Sequence, residues 1–450
     1  MSKNPGLMMK DFRSILEESL SPGEIDLLLA SLDTSPPVSI RQHIRKTDKE
    51  LFPGSEPVTW CPAGRYLKER PVFTLDPRFH AGAYYVQEAS GMSLWKLKPY
   101  LQSMNTPRVL DACAAPGGKS TLLLDILPED GLLVSNEAIR SRVPVLTQNI
   151  ARWGYSNVVV THNDPGAFTR LRGYFDVLVT DVPCSGEGLF RKEPLSRNNW
   201  SPAGVDLCAL RQRRILTDLW PSLKDGGLLF YSTCTFNRKE DEDQVEWIVR
   251  HLGARVLLGP EKYFPHRIRG EGFFMALLQK QGEQISSESK KTTGTGRKKG
   301  IHEKNHVSSG MPRFLNDGYA YSMKGTLLKA FPASWQAEMT TLEKILNVVH
   351  SGIAVAEKKG NAWVPTADLA LAIDLKKNAF EQHSVDLPTA ISFLRRDSLV
   401  LPAGTEKGFV LIAYDDLPLG FVKNLGSRSN NLHPVSRRIL MPAERINTTD

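Results

Sequence analysis

The chain has 450 residues, of which 41% are hydrophobic and 24% charged, so it predicts two or three globular domains and excludes a mostly disordered protein. Its formal net charge of +8 favours a polyanionic partner only mildly, because many basic proteins bind none. No apolar run reaches the length of about 18 residues needed for a membrane span, and the N-terminal stretch is not apolar enough for a signal peptide. We therefore expect a cytoplasmic protein without a membrane partner.

The cysteines argue against a disulfide framework and against a metal centre. There are five of them, an odd and small number for this length, which favours a reducing compartment. No two form a CxxC pair and no histidine cluster accompanies them, so we expect no metal. The five are Cys61, Cys113, Cys184, Cys208 and Cys234.

Composition and periodicity divide the chain into five parts. The first begins with an amphipathic helix and a helix start at Ser21, followed by a Pro- and aromatic-rich stretch over 52–77 that predicts an extended surface segment. The last contains short runs bounded by turns at 398–401, 408–414 and 418–424, which predict a small β barrel. The five parts are 1–90, 91–280, a Gly/Ser/Lys-rich flexible linker at 281–310, an intermediate domain at 311–385, and 386–450.

The second part predicts a doubly wound α/β domain. Continuous apolar runs alternate with helical stretches, as expected of a parallel sheet that helices cover on both faces. The predicted strands begin at Arg108, Gly131, Asn157, Phe175 and Gly227, and the predicted helices lie near 119–127, 138–152 and 206–222.

A glycine-rich loop follows the first predicted strand, over residues 111–119 (DACAAPGGK). It matches neither GxxxxGK[ST] nor GxGxxG, so a cofactor without phosphate fits it better than a nucleotide. Glu137 lies 26 residues after Asp111, close to the position from which an acid holds a ribose in dinucleotide-type folds. The sequence thus predicts a cofactor loop with an acidic partner.

Two cysteines follow successive predicted strands at the sheet edge where ligands bind. Cys184 comes shortly after the strand that ends at Asp181, and Cys234 follows the next one. A single buried cysteine is ordinary, but two at the ligand-bearing edge predict a reactive pair. Asp164 follows the strand at 157–161 and belongs to the same edge.

The motifs DACAAPGGK, DVPCSGEG and YSTCT with its following acidic cluster resemble the Nop/Sun family of RNA cytosine-C-5 methyltransferases. Residues 60–67 and 79–90 resemble the bacterial 16S ribosomal RNA branch of that family. Residues 420–434 resemble the PUA-like RNA-binding domain of the branch. The resemblance spans the whole chain and departs at Val182, where the family more often has proline or alanine.

The resemblance implies a Rossmann-like class I methyltransferase that uses S-adenosylmethionine. In it, Cys234 would be the nucleophile and Cys184 would assist product release, while Glu137 would hold the ribose and Asp164 the adenine. Parts 1–90 and 386–450 would bind RNA. The cofactor site would comprise Cys113, Ala114, Ala115, Pro116, Gly117, Gly118, Lys119, Glu137, Asp164 and Asp181.

The expected function is methylation of cytosine C-5 in RNA, with 16S ribosomal RNA or the 30S subunit as partner. The alternatives are the same chemistry on transfer RNA and a non-enzymatic ribosome-assembly factor that binds RNA. A DNA methyltransferase is disfavoured because its Glu-Asn-Val motif is missing from the sequence. Whether Asp181 contacts the base or the cofactor is left open by the sequence.

Overall fold

The computed structural model describes residues 5–282 and 311–441. The N-terminal part contains two helices and a sheet whose four strands pair antiparallel in the order β2-β3-β1-β4. The second helix starts as predicted, with the Glu24 carboxylate accepting hydrogen bonds from the backbone N–H and the hydroxyl of Ser21. The elements are α1 (Pro5–Leu16), α2 (Pro22–Leu32), β1 (Val38–Gln42), β2 (Glu56–Val58), β3 (Cys61–Leu67), α3 (Pro77–His80) and β4 (Tyr84–Val86).

The prediction of a surface segment over residues 52–77 is wrong for its central part. Strand β3 runs through it, and Cys61 and Leu67 are buried. The strand is buried on both faces, so its sequence lacks the alternation of apolar and polar residues by which a half-exposed strand is recognised.

The next part confirms the predicted doubly wound sheet. Strands β5 to β9 are parallel, and β11 and β10 extend the sheet antiparallel beyond β9. The elements are α4 (Lys98–Gln102), β5 (Arg108–Asp111), α5 (Gly118–Ile126), β6 (Leu132–Asn136), α6 (Val143–Trp153), β7 (Val158–Thr161), β8 (Phe175–Asp181), α7 (Pro202–Leu219), β9 (Leu223–Thr233), α8 (Glu242–Leu252), β10 (Ala254–Tyr263) and β11 (Phe273–Lys280).

A buried arginine joins the N-terminal sheet to the helices of the parallel sheet. Arg41 of β1 is fully buried, pairs with Asp125 and donates to the Thr121 hydroxyl at 2.6 Å, both on α5. Its guanidinium also stacks on Trp153 of α6 at 4.7 Å. A buried charge this well partnered fixes the N-terminal sheet against the face that carries α5 and α6.

The C-terminal part contains two more four-stranded sheets, of order β12-β13-β15-β16 and β17-β18-β19-β20. The run at 398–401 forms no strand, contrary to the prediction, whereas the runs at 408–414 and 418–424 do. The elements are β12 (Tyr319–Lys324), β13 (Leu327–Pro332), α9 (Gln336–Ile345), β14 (Val348–Ser351), β15 (Ile353–Lys359), β16 (Ala362–Pro365), α10 (Ala367–Leu371), β17 (Glu381–Ser384), α11 (Leu387–Leu394), β18 (Gly408–Tyr414), β19 (Leu417–Asn424) and β20 (Ser429–Asn431).

Strand β14 joins the central sheet instead of either C-terminal sheet. It pairs antiparallel with β7, which gives the central order β10-β11-β9-β8-β5-β6-β7-β14. The domain boundaries remain predictions, and β14 crosses the one between 91–280 and 311–385. The predicted linker, apart from its first two residues, lies outside the described residues.

Candidate active site

The polar residues predicted from the motifs follow five adjacent parallel strands at their carboxyl ends. Along that edge, the order β9-β8-β5-β6-β7 brings the two cysteine loops to one end and Asp164 to the other. The glycine-rich loop after β5 lies between them. Because ligands of an open parallel sheet bind at this edge, the arrangement defines one elongated candidate site, with the two thiols at one end and Asp164 at the other.

The two thiols after β8 and β9 touch. The Sγ atoms of Cys184 and Cys234 lie 3.1 Å apart, and the backbone N–H of Cys234 donates to Cys184 Sγ at 3.4 Å. The hydrogen bond with Cys234, together with burial, raises the pKa of Cys184. Cys184 therefore holds its proton and can donate it toward the sulfur of Cys234.

A lysine from the glycine-rich loop reaches the same end of the edge. Lys119 Nζ lies 2.8 Å from Asp181 Oδ2, and the hydroxyl of Ser232 donates to the other Asp181 oxygen at 2.9 Å. Burial lowers the pKa of Lys119, but the ion pair with Asp181 raises it by more, and Cys234 contributes in the same direction. The net result is a raised pKa. Lys119 is thus a cation at the thiol end, a position that the motif alone did not predict.

A buried carboxylate that sequence reasoning missed ties the two cysteine loops together. Glu187 is fully buried in the Cys184 loop. It accepts hydrogen bonds from the backbone N–H of Phe236 at 2.7 Å, from that of Asn237 at 3.1 Å and from the indole of Trp200 at 2.9 Å. The acid in DVPCSGEG was the available signal, but its role depends on contacts far along the chain.

A second buried acid, Glu240, supports the same loops from behind. It accepts from the backbone N–H of Ser185 at 3.0 Å, from Gln212 at 2.8 Å and from Asn237 at 2.9 Å. Burial and the nearby charge of Glu187 raise the pKa of Glu240 to about 7. The acidic cluster after YSTCT thus contributes to the scaffold of the site and not only to its surface.

Glu137, after β6, binds the glycine-rich loop. Its carboxylate accepts from the backbone N–H of Ala115 at 3.2 Å and from that of Ile139 at 2.8 Å, and Arg142 lies 3.6 Å away. Each carboxylate oxygen can accept a further hydrogen bond. The residue therefore lies beside the loop and retains acceptor capacity for a ligand.

Two features at the start of the loop suit a ligand: a buried carboxylate that can pair with a cation, and a glycine that lets the ligand approach the backbone closely. Asp111 is buried, and Ser120 donates to one of its oxygens at 2.6 Å, while the other has no partner among the described residues. Burial raises the pKa of Asp111 to about 7. Gly117 has φ of 111° at the start of α5, a conformation that a side chain would strain. A buried, half-satisfied acid fits a ligand's ammonium group.

The remaining predicted residues lie at less enclosed or less polar positions. Asp164 is exposed, accepts from the backbone N–H of Gly166 at 3.0 Å and lies 3.5 Å from Arg214. Burial raises the pKa of Cys113, so its thiol is neutral. Within residues 5–282 and 311–441, no group of three or more His, Cys, Asp and Glu is placed to hold a metal ion, and no helix is long and apolar enough to cross a membrane.

Three family models match consecutive parts of the chain. The model for 16S rRNA methyltransferase RsmB/F matches residues 98–279, and the model for the N-terminal domain of 16S rRNA methyltransferase RsmF matches residues 8–89. The methyltransferase RsmF PUA domain matches residues 380–439. The parallel sheet, the N-terminal extension and the last sheet therefore each have a counterpart in a methyltransferase acting on RNA.

Similar proteins span most of the chain. A ribosomal RNA small subunit methyltransferase F from Serratia proteamaculans is 30% identical over 406 residues, with 84% of each chain covered. One from Escherichia coli O7:K1 is 32% identical over 413 residues, also with 84% of each covered. The chain belongs to the 16S rRNA methyltransferase RsmB/F family and is an RNA methyltransferase.

Solved structures share the fold. NSun6 from Pyrococcus horikoshii, solved with SFG, has a TM-score of 0.52 at 18% identity and covers 61% of this chain and 98% of its own. A methyltransferase homolog protein from the same organism has a TM-score of 0.50 at 24% identity, covering 59% and 99%. These likenesses show the doubly wound fold.

Proposed function

We propose that this enzyme transfers a methyl group from S-adenosylmethionine to C-5 of cytosine in 16S ribosomal RNA, with Cys234 as the nucleophile. The observation that carries the proposal is the contact between Cys184 and Cys234 beside the Lys119–Asp181 ion pair. C-5 of cytosine is a weak nucleophile, and a thiol next to a second thiol and a cation is suited to activate it.

The first step is addition of the Cys234 thiolate to C-6 of the target base. The S–C-6 bond forms, the C-5=C-6 double bond opens, and the electron pair is shared between C-5 and the ring atoms N-3 and O-2. The ammonium of Lys119 offsets the negative charge on the ring, and Asp181 holds that ammonium in place. The base must leave its stack to reach this edge of the sheet.

S-adenosylmethionine, when bound, supplies the electrophilic methyl group that C-5 takes up. The residues suited to hold it are those of the glycine-rich loop at 113–119, together with Glu137 and Asp164. The half-satisfied Asp111 carboxylate fits an amino-acid ammonium, and the free acceptor capacity of Glu137 fits ribose hydroxyls. The loop and its acids therefore fit a phosphate-free cofactor that carries both an ammonium group and a ribose.

The last step releases the product. C-5 loses its proton to water, the C-5=C-6 double bond re-forms, and the S–C-6 bond breaks with its electron pair returning to Cys234. The S–H of Cys184, 3.1 Å from that sulfur, stabilises the thiolate as it leaves. Cys234 thus begins the cycle and Cys184 ends it.

The experiment that tests the proposal is methyl transfer in vitro. Purified enzyme, S-adenosylmethionine labelled in the methyl group, and 16S ribosomal RNA from a strain lacking the gene are incubated, and the labelled nucleoside is identified after digestion. We expect 5-methylcytidine from the wild type and none from Cys234→Ala. Label in another nucleoside, or transfer to transfer RNA but not to 16S RNA, would contradict the proposal.

A further inference from the structure

A cavity of 610 Å³, whose lining includes neither thiol nor the Lys119–Asp181 pair, lies where the N-terminal sheet, helix α6 and Met441 meet. This is within the range of about 300–1,000 Å³ typical of small-ligand pockets. Its wall includes Arg70, Phe73, Phe79 and Tyr85 from the N-terminal part and Arg152 from α6. None of the described residues that line it is acidic.

The guanidinium of Arg152 has no carboxylate partner among the described residues. It stacks on the ring of Phe79, at 4.6 Å from the ring centroid. Burial, and repulsion by Arg437, lower the pKa of Arg152 to about 10, so it remains a cation at neutral pH. A partly buried cation without a counter-ion is unfavourable unless an anion joins it.

A second guanidinium and aromatic rings complete the wall. Arg70 is exposed at the rim, 5.5 Å from the ring centroid of Phe73, and likewise has no acidic partner among the described residues. Two cations interleaved with Phe73, Phe79 and Tyr85 suit a ligand that combines a phosphate with a flat ring.

The cavity wall is also hydrogen-bonded to the glycine-rich loop. The hydroxyl of Tyr85 and the amide of Asn149, which both line the cavity, donate to the carbonyl oxygen of Pro116 at 3.3 and 2.8 Å. A ligand that orders this wall therefore acts directly on the loop that we assign to the cofactor.

We infer that this cavity binds an unpaired nucleotide of the RNA substrate, outside the nucleotide that is methylated. Its phosphate would lie between Arg70 and Arg152, with its base against the aromatic wall. The inference rests on the proposed function for the identity of the RNA. It adds an anchoring site that adjoins the glycine-rich loop and shares no lining residue with the thiol end.

The test compares RNA binding by charge variants of the full chain. The variants are Arg70→Glu and Arg152→Gln, and the matched control is Arg172→Glu, an exposed arginine on the loop before β8. A short fluorescent single-stranded RNA and 16S ribosomal RNA from a strain lacking the gene serve as probes. Thermal unfolding is measured for every variant, because Arg152 packs on Phe79 and Arg70 lies over Phe73. Arg70 is exposed, so its replacement disturbs less buried packing than that of Arg152.

We expect each cavity variant to weaken RNA binding by about tenfold and to raise KM for RNA to the same extent. The slope of log affinity against log salt should become shallower by about 0.7 for each phosphate that the variant no longer binds. Affinity for S-adenosylmethionine, measured without RNA, and kcat at saturating RNA should stay within about twofold of wild type, since among the described residues neither arginine side chain is hydrogen-bonded to the glycine-rich loop or to the thiols. The control should match wild type.

RNA affinities equal to that of the control would overturn the inference. A second result would also overturn it: the wild type binds cytidine monophosphate, and the cavity variants lose that binding but keep their affinity for RNA. The occupant of the cavity would then be a free nucleotide. The binding assay requires no methyl transfer. A wild type that binds RNA through these arginines but transfers no methyl group would contradict the proposed function and leave the cavity assignment standing.

Discussion

The contact between Cys184 and Cys234 determines how the proposed chemistry divides between two residues. In the proposal Cys234 forms the covalent bond, and Cys184, whose sulfur lies 3.1 Å away, is placed to donate a hydrogen bond to the sulfur that must leave. The two tasks are separated in time, so removing each thiol should stop the cycle at a different point.

Replacement of Cys184 by alanine should trap the enzyme on its product. The variant should still form the Cys234 adduct and transfer the methyl group, but release the RNA slowly because the leaving thiolate loses its donor. We expect a protein–RNA species that survives denaturing electrophoresis and carries stoichiometric methyl label. Cys208→Ala, on α7, is the control and should turn over normally.

The double variant lacking both thiols should form no adduct, because the bond requires Cys234. An adduct that accumulates in Cys234→Ala and is missing from Cys184→Ala would mean that the roles of the two cysteines are reversed.

Glu137→Ala should weaken S-adenosylmethionine binding at least tenfold. Each charge-assisted hydrogen bond is worth about 1.5–3 kcal/mol, and the variant also loses the acceptor for the loop N–H of Ala115. Calorimetric titration measures the affinity, with Glu129→Ala, an exposed acid before β6, as the control. An unchanged affinity in Glu137→Ala would remove this residue from the cofactor site.

The sequence was sufficient to predict which residues form much of the site, because residues at the carboxyl ends of neighbouring parallel strands meet at one edge of the sheet. The strand-end rule placed Cys184 and Cys234 together. It did not predict that Lys119 turns toward Asp181, because that depends on how a long side chain crosses from one loop to the next. The pairing of Glu187 with residues near 236 was likewise out of reach, since it joins two loops far apart in sequence.

At the scale of elements, the loops after β8 and β9 owe their geometry to buried carboxylates. Glu187 binds the backbone that follows Cys234, so its loop and the Cys234 loop form one hydrogen-bonded unit. The unit holds the two sulfur atoms in contact.

Glu187→Gln should therefore impair transfer more than binding. The amide presents N–H groups where Phe236 and Asn237 already donate, which leaves buried donors unpaired at about 1–3 kcal/mol each. We expect kcat to fall at least tenfold, with cofactor affinity nearly intact and a lower melting temperature. Glu193→Gln, an exposed acid in the same loop region, should resemble wild type. A kcat for Glu187→Gln equal to that of Glu193→Gln would show that the loops hold without this carboxylate.

Strand β14 was beyond what local sequence could predict. The pattern of residues 341–349 is compatible with a short helix or a strand, and the structure has the end of α9 followed by β14. Its partner is β7, so the pairing depends on the folded central sheet and not on local periodicity.

At the scale of the whole molecule, the first and last parts of the chain share a hydrophobic core. Ile40 and Tyr84 of the N-terminal sheet pack in one buried cluster with Ala390 and Phe393 of α11 and Val422 of β19. The two parts expected to bind RNA are therefore fixed to each other as well as to the catalytic sheet.

Removal of residues 386–450 should consequently destabilise the N-terminal part as well as weaken RNA binding. Phe393→Ala tests the shared core alone and should cost about 3–5 kcal/mol, since burial of its ring is complete. Limited proteolysis at increasing temperature measures the loss of stability. We expect cleavage within residues 38–86 to begin at a lower temperature in the variant than in the wild type. Cleavage confined to the C-terminal part would contradict a shared core.

If this chain forms 5-methylcytosine in 16S ribosomal RNA through Cys234, the modification should depend on both the gene and that thiol. The most direct measurement maps 5-methylcytosine in ribosomal and transfer RNA from cells that lack the gene, complemented with the wild type or with Cys234→Ala. We predict a 16S cytosine that loses its methyl group in the deletion strain and regains it only with the wild-type gene. Restoration by Cys234→Ala, or a change confined to transfer RNA, would contradict this function.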